Sequence, residues 1–589
     1  MVTYRPKYGD KVSQMISWGH WFTLFNILLS LALSSRYLFI SDWPDTLIGR
    51  IYAITSWLGH FSFLAFALYL LIVFPLTFVV MSQRLLRFLS AALGTAGLTL
   101  LLFDIGIYEQ FRLHLNPVVW DLVVNPEQGE MARRWQFIFI AIPVIFLVEM
   151  LFGTWSWQKL RSLNRQKFGK PVAVVFITAF ITSHIMYIWA DANFYRPVTM
   201  QRYNLPVSYP MTARKFLERH GLLDSTSYEQ QLLLHGDPTA QGVEYPINKL
   251  TYADNGSGYN LLLITLTSLS RKDIDKAMPN LNRFAQESTQ FTQHYSSEIN
   301  PERAQFGLYY GISGTYYDGI LNGRIPSALM TALSAQNYQS GFFSTEHFAS
   351  PLFRYALLAD YSLPPLRDGQ DNSGTTGASA DVADRWSLWL KQTRKDQPWF
   401  ALINLSTPLP DGHSAPDMTD IDNTLGTLIQ DIRARGEWDK TVIVITAGAG
   451  DSMTKLQDNW VTDGKFNRDQ LRVPLIIHWP DTPAQTISKL TAHPDIMATL
   501  MQRLLHVSNP PGEYTQGDDL FTTTRRKPRI FTGDNSNLVI IKPDSASLLT
   551  AQGKYQRFDE NNEKIRNAKP DMAELLQVLT EQKRFIDTH

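Results

Sequence analysis

Between Ser208 and Gly221 the sequence SYPMTARKFLERHG sets Arg214, Lys215 and Arg219 beside an apolar side made of Ala213, Phe216 and Leu217. The pattern predicts a short helix, with Ser208 or Tyr209 as its cap, Pro210 in its first turn and Gly221 at its end. Arg196 and Arg202 lie just upstream, and only Asp191 and Glu218 oppose these charges over the interval. Backbone amides at a helix start, next to Arg and Lys, form a natural phosphate site. Beside a membrane, those phosphates would be lipid headgroups. The plainer alternative is a solvated basic face that only holds the chain near an anionic surface.

Other groups able to do chemistry are dispersed. Hydroxyls stand at Thr265, Ser296 and Ser297, with no partner base apparent nearby. His294, His347, His413, His478, His493 and His506 are scattered, without H-x-H or H-E-x-x-H spacing. His478 falls inside an apolar run and reads as a core residue, and Asp495 reads as a helix cap. Glu298, Glu302, Asp451 and Asp469 are the carboxylates from which an atypical metal site could be assembled. Asp104, Glu149 and His184 fall in or near long apolar stretches, where an ionisable group marks either function or pairing between helices. Cysteine is absent, which excludes a disulfide framework, thiolate metal sites and a thiol nucleophile. With 54 basic and 54 acidic side chains the chain is not a bulk nucleic-acid binder.

The elements that must carry these residues divide the chain of 589 residues sharply. Spanning about 30 Å of hydrocarbon takes roughly 20 apolar residues. Five stretches before residue 190 are long enough: Ser17 to Phe39, Ile51 to Val80, Leu85 to Tyr108, Phe137 to Trp157 and Pro171 to Ala190. The first is too long for a signal-peptide core and lacks a small-residue cleavage site. Ten Lys and Arg residues, from Arg5 to Lys170, fall in the tail and alternate connections that share one side; the other two connections hold five. The richer side belongs in the cytoplasm, so everything after Ala190 is expected on the opposite face. Trp18, Trp21, Trp43, Trp135, Trp155, Trp157 and Trp189 near the span ends read as an interfacial belt. Five spans without an internal repeat disfavour a two-halved transporter.

Residues 191–245 read as a basic juxtamembrane linker and 246–589 as an α/β domain. Buried strands are expected at Leu261 to Leu266, Trp399 to Leu405, Thr441 to Thr446 and Pro474 to Trp479. Helices are expected at Met278 to Glu287 and Ile421 to Arg435, and Asp368 to Ala380 reads as a mobile loop. Strands alternating with helices imply a mainly parallel sheet.

The segments LLLITLTSL, MPNLNRFAQEST, TVIVITAGAGD, RVPLIIHWPDTPAQ and HPDIMATLMQRLL resemble the alkaline phosphatase/sulfatase superfamily over most of 246–530. Five spans before such a domain resemble its phosphoethanolamine-transferase and lipoteichoic-acid-synthase branch. SWGHWFTLFNILLSL, YIWADANFYRP, YPMTARKFLE, AQGKYQRF and LLQVLTEQKRF extend a resemblance to the YejM/PbgA family of inner-membrane proteins along almost the whole chain. The resemblance implies a five-span helical membrane domain followed by a periplasmic sulfatase-like α/β domain.

Catalytic members of the superfamily hold two divalent metals at strand ends around a hydroxyl nucleophile. The pair activates the nucleophile and neutralises the phosphoryl oxygens. Here Thr267 stands where the first Asp ligand is expected, Asn300 or Pro301 where the nucleophile is, and Gly448 and Ala449 where an Asp-His pair is. The last His ligand is replaced within Asn467 to Gln470. The expected domain is therefore a pseudo-hydrolase without a metal cofactor. The family resemblance implies a sensor of lipopolysaccharide that regulates lipid A synthesis through LapB (YciM), FtsH and LpxC. It carries lipid A phosphate contact onto Thr212, Arg214 and Lys215, which Phe216 and Arg219 extend. Lys215 keeps a charge there but offers no planar fork. A metal-dependent transferase with atypical ligands, and a transporter of cardiolipin or another anionic phospholipid, are the alternative functions.

Overall fold

The computed structural model describes residues 8–41, 43–80, 82–112, 114–115, 130–165, 169–298, 303–365, 378–407, 418–450, 468–533, 537–550 and 554–587. The chain forms two compact units that meet in sequence at Gln230 and Gln231.

In the first unit, five helices among the described residues are long and apolar enough to cross a membrane: Tyr8–Ile40, Leu47–Val79, Gln83–Gln110, Ile140–Gln158 and Gly169–Ala192. They contain the five expected stretches almost entirely, the first beginning nine residues early. The second passes through a π turn at Tyr69–Val73, just before Pro75. Proline has no N–H for the helical ladder, and a widened turn absorbs the interruption. Small residues let helices approach closely. A Cβ on Gly59 would lie 2.5 Å from the Phe180 Cα, so the second and fifth spans touch backbone to backbone there. Trp18 departs from the interfacial belt. It is fully buried, and its Nε1 donates to Gly153 O and Ser156 Oγ, both at 3.0 Å. A buried indole N–H needs such a partner.

The second unit is built on a seven-stranded sheet. Its strands are β1 (Asn260–Ser268), β2 (Thr289–Phe291), β4 (Gln339–Ser344), β5 (Trp399–Leu405), β6 (Thr441–Ala449), β7 (Leu475–His478) and β8 (Gln485–Ile487), with the small pair β3 (His294–Tyr295) and β9 (Thr491–Ala492) alongside. The spatial order is β4-β5-β1-β6-β7-β2-β8. The strands β4, β5, β1 and β6 run parallel, as their continuous apolar runs predict. Side chains alternate between two cores. Leu261, Leu263, Phe400, Leu402, Val442 and Val444 face one, and Leu262, Ile264, Ala401, Ile403, Ile443 and Ile445 the other.

The expectation of a mainly parallel sheet needs correcting at its edge, since β7 is antiparallel to β6 and β2 to β7. The chain also adds a separate five-stranded antiparallel meander: Ile530–Gly533, Asn537–Ile541, Ser545–Thr550, Tyr555–Asp559 and Lys564–Ile565. The predicted loop over 368–380 lies outside the described residues up to 377, and Ala378–Gln392 is helical.

Candidate functional site

The basic segment after the fifth span is folded back onto that span. The Met211 N–H donates to His184 Nδ1 at 3.2 Å. Arg214 donates from Nε to Asp191 Oδ2 at 2.8 Å and from Nη2 to Oδ1 at 2.7 Å. Asp191 is buried, and the Arg214 guanidinium also lies 4.7 Å from the centre of the Tyr228 ring. His184 and Asp191 are seven residues apart, about two helical turns, and so share a face. His60 Nε2 meets Pro206 O at 2.7 Å and ties the preceding residues to the second span.

The predicted helix is shorter than expected. It covers only Arg214–Arg219, with Ala213 as a cap that makes no side-chain bond. The Met211 amide goes to His184 instead, which leaves Pro210 and Thr212 outside the helix. So short a helix presents no amide site for phosphate, and its first turn carries two cations that the dipole disfavours. The end is as expected. Gly221 has φ +68° and the Leu222 N–H reaches back to Leu217 O at 2.9 Å. Thr212, Lys215, Phe216 and Arg219 are exposed, as are Tyr209, Met211 and Leu222. Arg214 is thus a fastening, while Lys215 and Arg219 present charge next to exposed apolar groups.

The ionisable groups of the spans make bonds between helices. Asn26 Nδ2 donates to Glu149 Oε2 at 3.1 Å, in the space left by Gly94. Asp104 accepts from Tyr37 Oη at 2.5 Å and from the Leu115 N–H at 2.5 Å, and meets His114 Nδ1 at 2.7 Å. The other ring nitrogen of His114 meets Tyr203 O at 2.8 Å.

At the carboxyl ends of the parallel strands, four of the described residues, Thr265, Asn404, Gln305 and Tyr309, are neutral and bonded to one another. Asn404 Nδ2 donates to Thr265 Oγ1 at 3.0 Å and to Gln305 Oε1 at 2.7 Å. Tyr309 Oη donates to Gln305 Oε1 at 3.1 Å, so its 2.8 Å contact with Thr265 takes the threonine proton. Burial pushes the Tyr309 phenol far up, and it stays neutral. Gln305 Nε2 closes the set on Leu266 O at 3.3 Å. Thr267 is exposed at the end of β1. A pair of divalent cations needs several anionic or imidazole ligands. The residues described here do not fit one, and no group of three or more His, Asp or Glu suited to a metal occurs among the described residues. Asn300, Pro301, Glu302, Asp451 and Asn467 lie outside the described residues, as does the side chain of Asp469.

The histidines, scattered in sequence, are partly gathered by the fold. His294 and His493 are buried with ring centres 5.3 Å apart. His294 Nδ1 meets Thr491 Oγ1 at 3.0 Å, and His493 Nε2 meets Ala447 O at 3.1 Å. Burial, then the neighbouring ring and the Arg525 charge, holds His294 well below the usual imidazole range. Burial takes His493 down to about 4. His478 is the core residue expected, stacked on Trp438 at 3.9 Å between ring centres. Asp495 accepts the Ala492 N–H at 2.8 Å, the expected capping contact.

Several partners were missed in the sequence, Gln305 and Tyr309 of the neutral ring among them. Tyr228 and Asn404 act across gaps that no local spacing reveals. Asp191 was visible only as a lone opposing charge, although its place seven residues after His184 puts both on one helical face.

A family model described as Domain of unknown function (DUF3413) matches residues 5–252, and one described as Sulfatase matches residues 260–408 and 413–507. The inner membrane proteins YejM of Salmonella typhi and Salmonella typhimurium are each 52% identical over 596 residues, covering 100% of both chains. An uncharacterized protein of Haemophilus influenzae is 41% identical over 560 residues, covering 94% of this chain and 93% of its own. Among solved structures, an alkaline phosphatase superfamily protein from Vibrio parahaemolyticus aligns with a TM-score of 0.41 at 16% identity, covering 65% of this chain and 96% of its own. The lipoteichoic acid synthase LtaP of Listeria monocytogenes aligns with a TM-score of 0.42 at 14% identity, covering 57% of this chain and 94% of its own.

Proposed function

This chain belongs to the YejM family of inner-membrane proteins, and from that premise we propose that it is a non-enzymatic sensor of lipopolysaccharide that regulates lipid A synthesis. In this reading it lies in the bacterial inner membrane with its N-terminus in the cytoplasm and its sulfatase-like domain in the periplasm. The bias of Lys and Arg among the connections supports that orientation. Its output runs through the adaptor LapB to the protease FtsH and the deacetylase LpxC.

What carries the reading is the fastened basic segment. Bonds to His184 and Asp191 fix where the segment lies, and Lys215 and Arg219 stand exposed beside Phe216. Cations next to exposed aromatic and aliphatic groups suit a phosphorylated amphiphile, each cation near an anionic surface contributing about 1 kcal/mol. Cardiolipin offers related chemistry and is the expected competitor. The neutral ring of Thr265, Asn404, Gln305 and Tyr309 supports the non-enzymatic part, because phosphoryl transfer depends on charge placed at the reacting group.

The test is a native mass measurement on the full chain in nanodiscs containing lipopolysaccharide, with cellular LpxC measured in parallel. Lys215→Ala with Arg219→Ala is expected to lose bound lipopolysaccharide and to alter LpxC abundance. Retention equal to the parent chain would refute the assignment.

A further inference from the structure

We propose that a cavity of ≈ 140 Å³ in the second unit, walled by Arg525, Arg526, Lys527, Arg529 and Arg584, is a binding site for a phosphate group. It is independent of the juxtamembrane segment and of the strand ends.

The charge balance is the first reason. Five cationic side chains line the cavity against two carboxylates, Asp518 and Glu581. Each carboxylate is shared between two of the cations. Asp518 meets Arg526 closely and Arg525 at 4.0 Å, and Glu581 meets Lys527 closely and Arg529 at 2.8 Å. Asp495 on Arg525 and Glu574 at 3.8 Å from Arg529 bring the carboxylates to four against five cations, which leaves a positive excess at the rim, where Arg584 stands. Gathering like charges around a cavity raises the potential inside it and draws in anions.

The second reason is the division between scaffold and rim. Arg525 and Arg529 are nearly buried. Arg525 donates to the buried Asp495 at 2.5 Å and to Arg529 O at 3.0 Å. Arg526, Lys527 and Arg584 are exposed or half-exposed at the mouth, and Arg584 makes a long 3.5 Å contact with Gly512 O. Guanidinium groups held in place this way match a tetrahedral oxyanion with little ordering left to do.

The third reason lies at the inner wall. Ser297 lines the cavity with its hydroxyl buried and without a hydrogen-bond partner among the described residues. Buried polar atoms are nearly always satisfied, and an exception points to a missing partner. The matching ligand class is a phosphate monoester, a diester or a pyrophosphate. Its source is either a lipid headgroup or a free phosphorylated solute.

The experiment uses the full chain in phosphatidylcholine nanodiscs, titrated with inorganic pyrophosphate and separately with the short-chain lipid dihexanoyl-phosphatidylglycerol. The parent chain is expected to bind pyrophosphate saturably. Arg526→Gln with Arg584→Gln should bind it about tenfold more weakly at an unchanged melting temperature, and Lys215→Ala with Arg219→Ala should bind it as the parent does. Competition between the two probes assigns the site to a headgroup. Pyrophosphate binding that the lipid does not compete for assigns it to a solute. Should the double variant melt early, Arg584→Gln alone gives the same comparison with a smaller drop. Absence of saturable binding, or equal affinity in parent and rim variants, overturns the proposal.

Discussion

The Arg214 guanidinium holds the buried Asp191 carboxylate with two parallel bonds, Nε to Oδ2 at 2.8 Å and Nη2 to Oδ1 at 2.7 Å. The pair joins the last turn of the fifth span to the basic segment that follows it. Removing one member leaves the other charge without its partner, and a stranded buried carboxylate costs more than a lost surface contact. Arg214→Ala is therefore expected to lower stability by about 2 kcal/mol, read as a drop in melting temperature in detergent. Asp191→Ala combined with Arg214→Ala should recover part of that loss. Lys215→Ala, at an exposed position, should change melting by less than about 0.5 kcal/mol while weakening lipopolysaccharide retention. A large stability loss at Lys215 would show that its role is structural.

The strand ends give a second expectation. Asn404 supplies two of the bonds in the neutral ring and lies 7% exposed. Asn404→Ala removes both and leaves Gln305 Oε1 with only Tyr309. The expected cost is about 2 kcal/mol. Thr267→Asp places one carboxylate at the exposed end of β1. One ligand among neutral neighbours does not hold two cations, so phosphodiester turnover with added Mg, Mn or Zn should stay at the level of the parent chain. A rise in turnover would show that groups outside the described residues complete a metal centre.

These two sites show what the sequence could and could not carry. The parallel strands were legible because residues such as Leu261 to Ile264 are buried on both faces and leave an unbroken apolar run. Spans were legible for the same reason. The antiparallel meander was not, because a strand such as Ser545–Thr550, SASLLT, has neither a strict apolar alternation nor a β-branched run. That Thr267 and Gly448 carry no charge is plain in the sequence. The neutral ring beside them was not legible, since Thr265 and Asn404 are 139 residues apart. The juxtamembrane helix was overextended because Pro210 suits a first turn, while the sequence gives no sign that His184 captures the Met211 amide.

The buried histidines set a pH dependence in the second unit. His493 is held down to about 4 and His294 well below its ordinary value, both chiefly by burial. In the unfolded chain an imidazole titrates near 6.5. Between the two values the unfolded state binds protons that the folded state does not, so stability is full above about 6.5 and falls as the pH drops toward 4. For His493 alone the loss is about 3 kcal/mol. Melting temperature measured from pH 7 to pH 4 should fall more steeply for the parent than for His493→Asn. Parallel slopes would remove the histidine from the account.

The division of the chain at Gln230 turns the proposed signalling role into a truncation experiment. Four contacts that fasten the basic segment lie before that point: His60 with Pro206, His184 with Met211, Asp191 with Arg214, and Arg214 over Tyr228. A chain ending at Gln230 keeps all four, together with Lys215 and Arg219. A chain ending at Ala192 keeps the spans and loses the segment. If lipid recognition resides in the fastened segment, the longer truncation should retain lipopolysaccharide and at least part of the control of LpxC, and the shorter should lose both. An intermediate ending at Gly221 keeps Arg214 with Asp191 but loses Tyr228. It should bind more weakly than the chain ending at Gln230, because the guanidinium is no longer held against the ring, a contact that contributes about 1 kcal/mol. Loss of binding in the longest truncation would relocate recognition to the second unit.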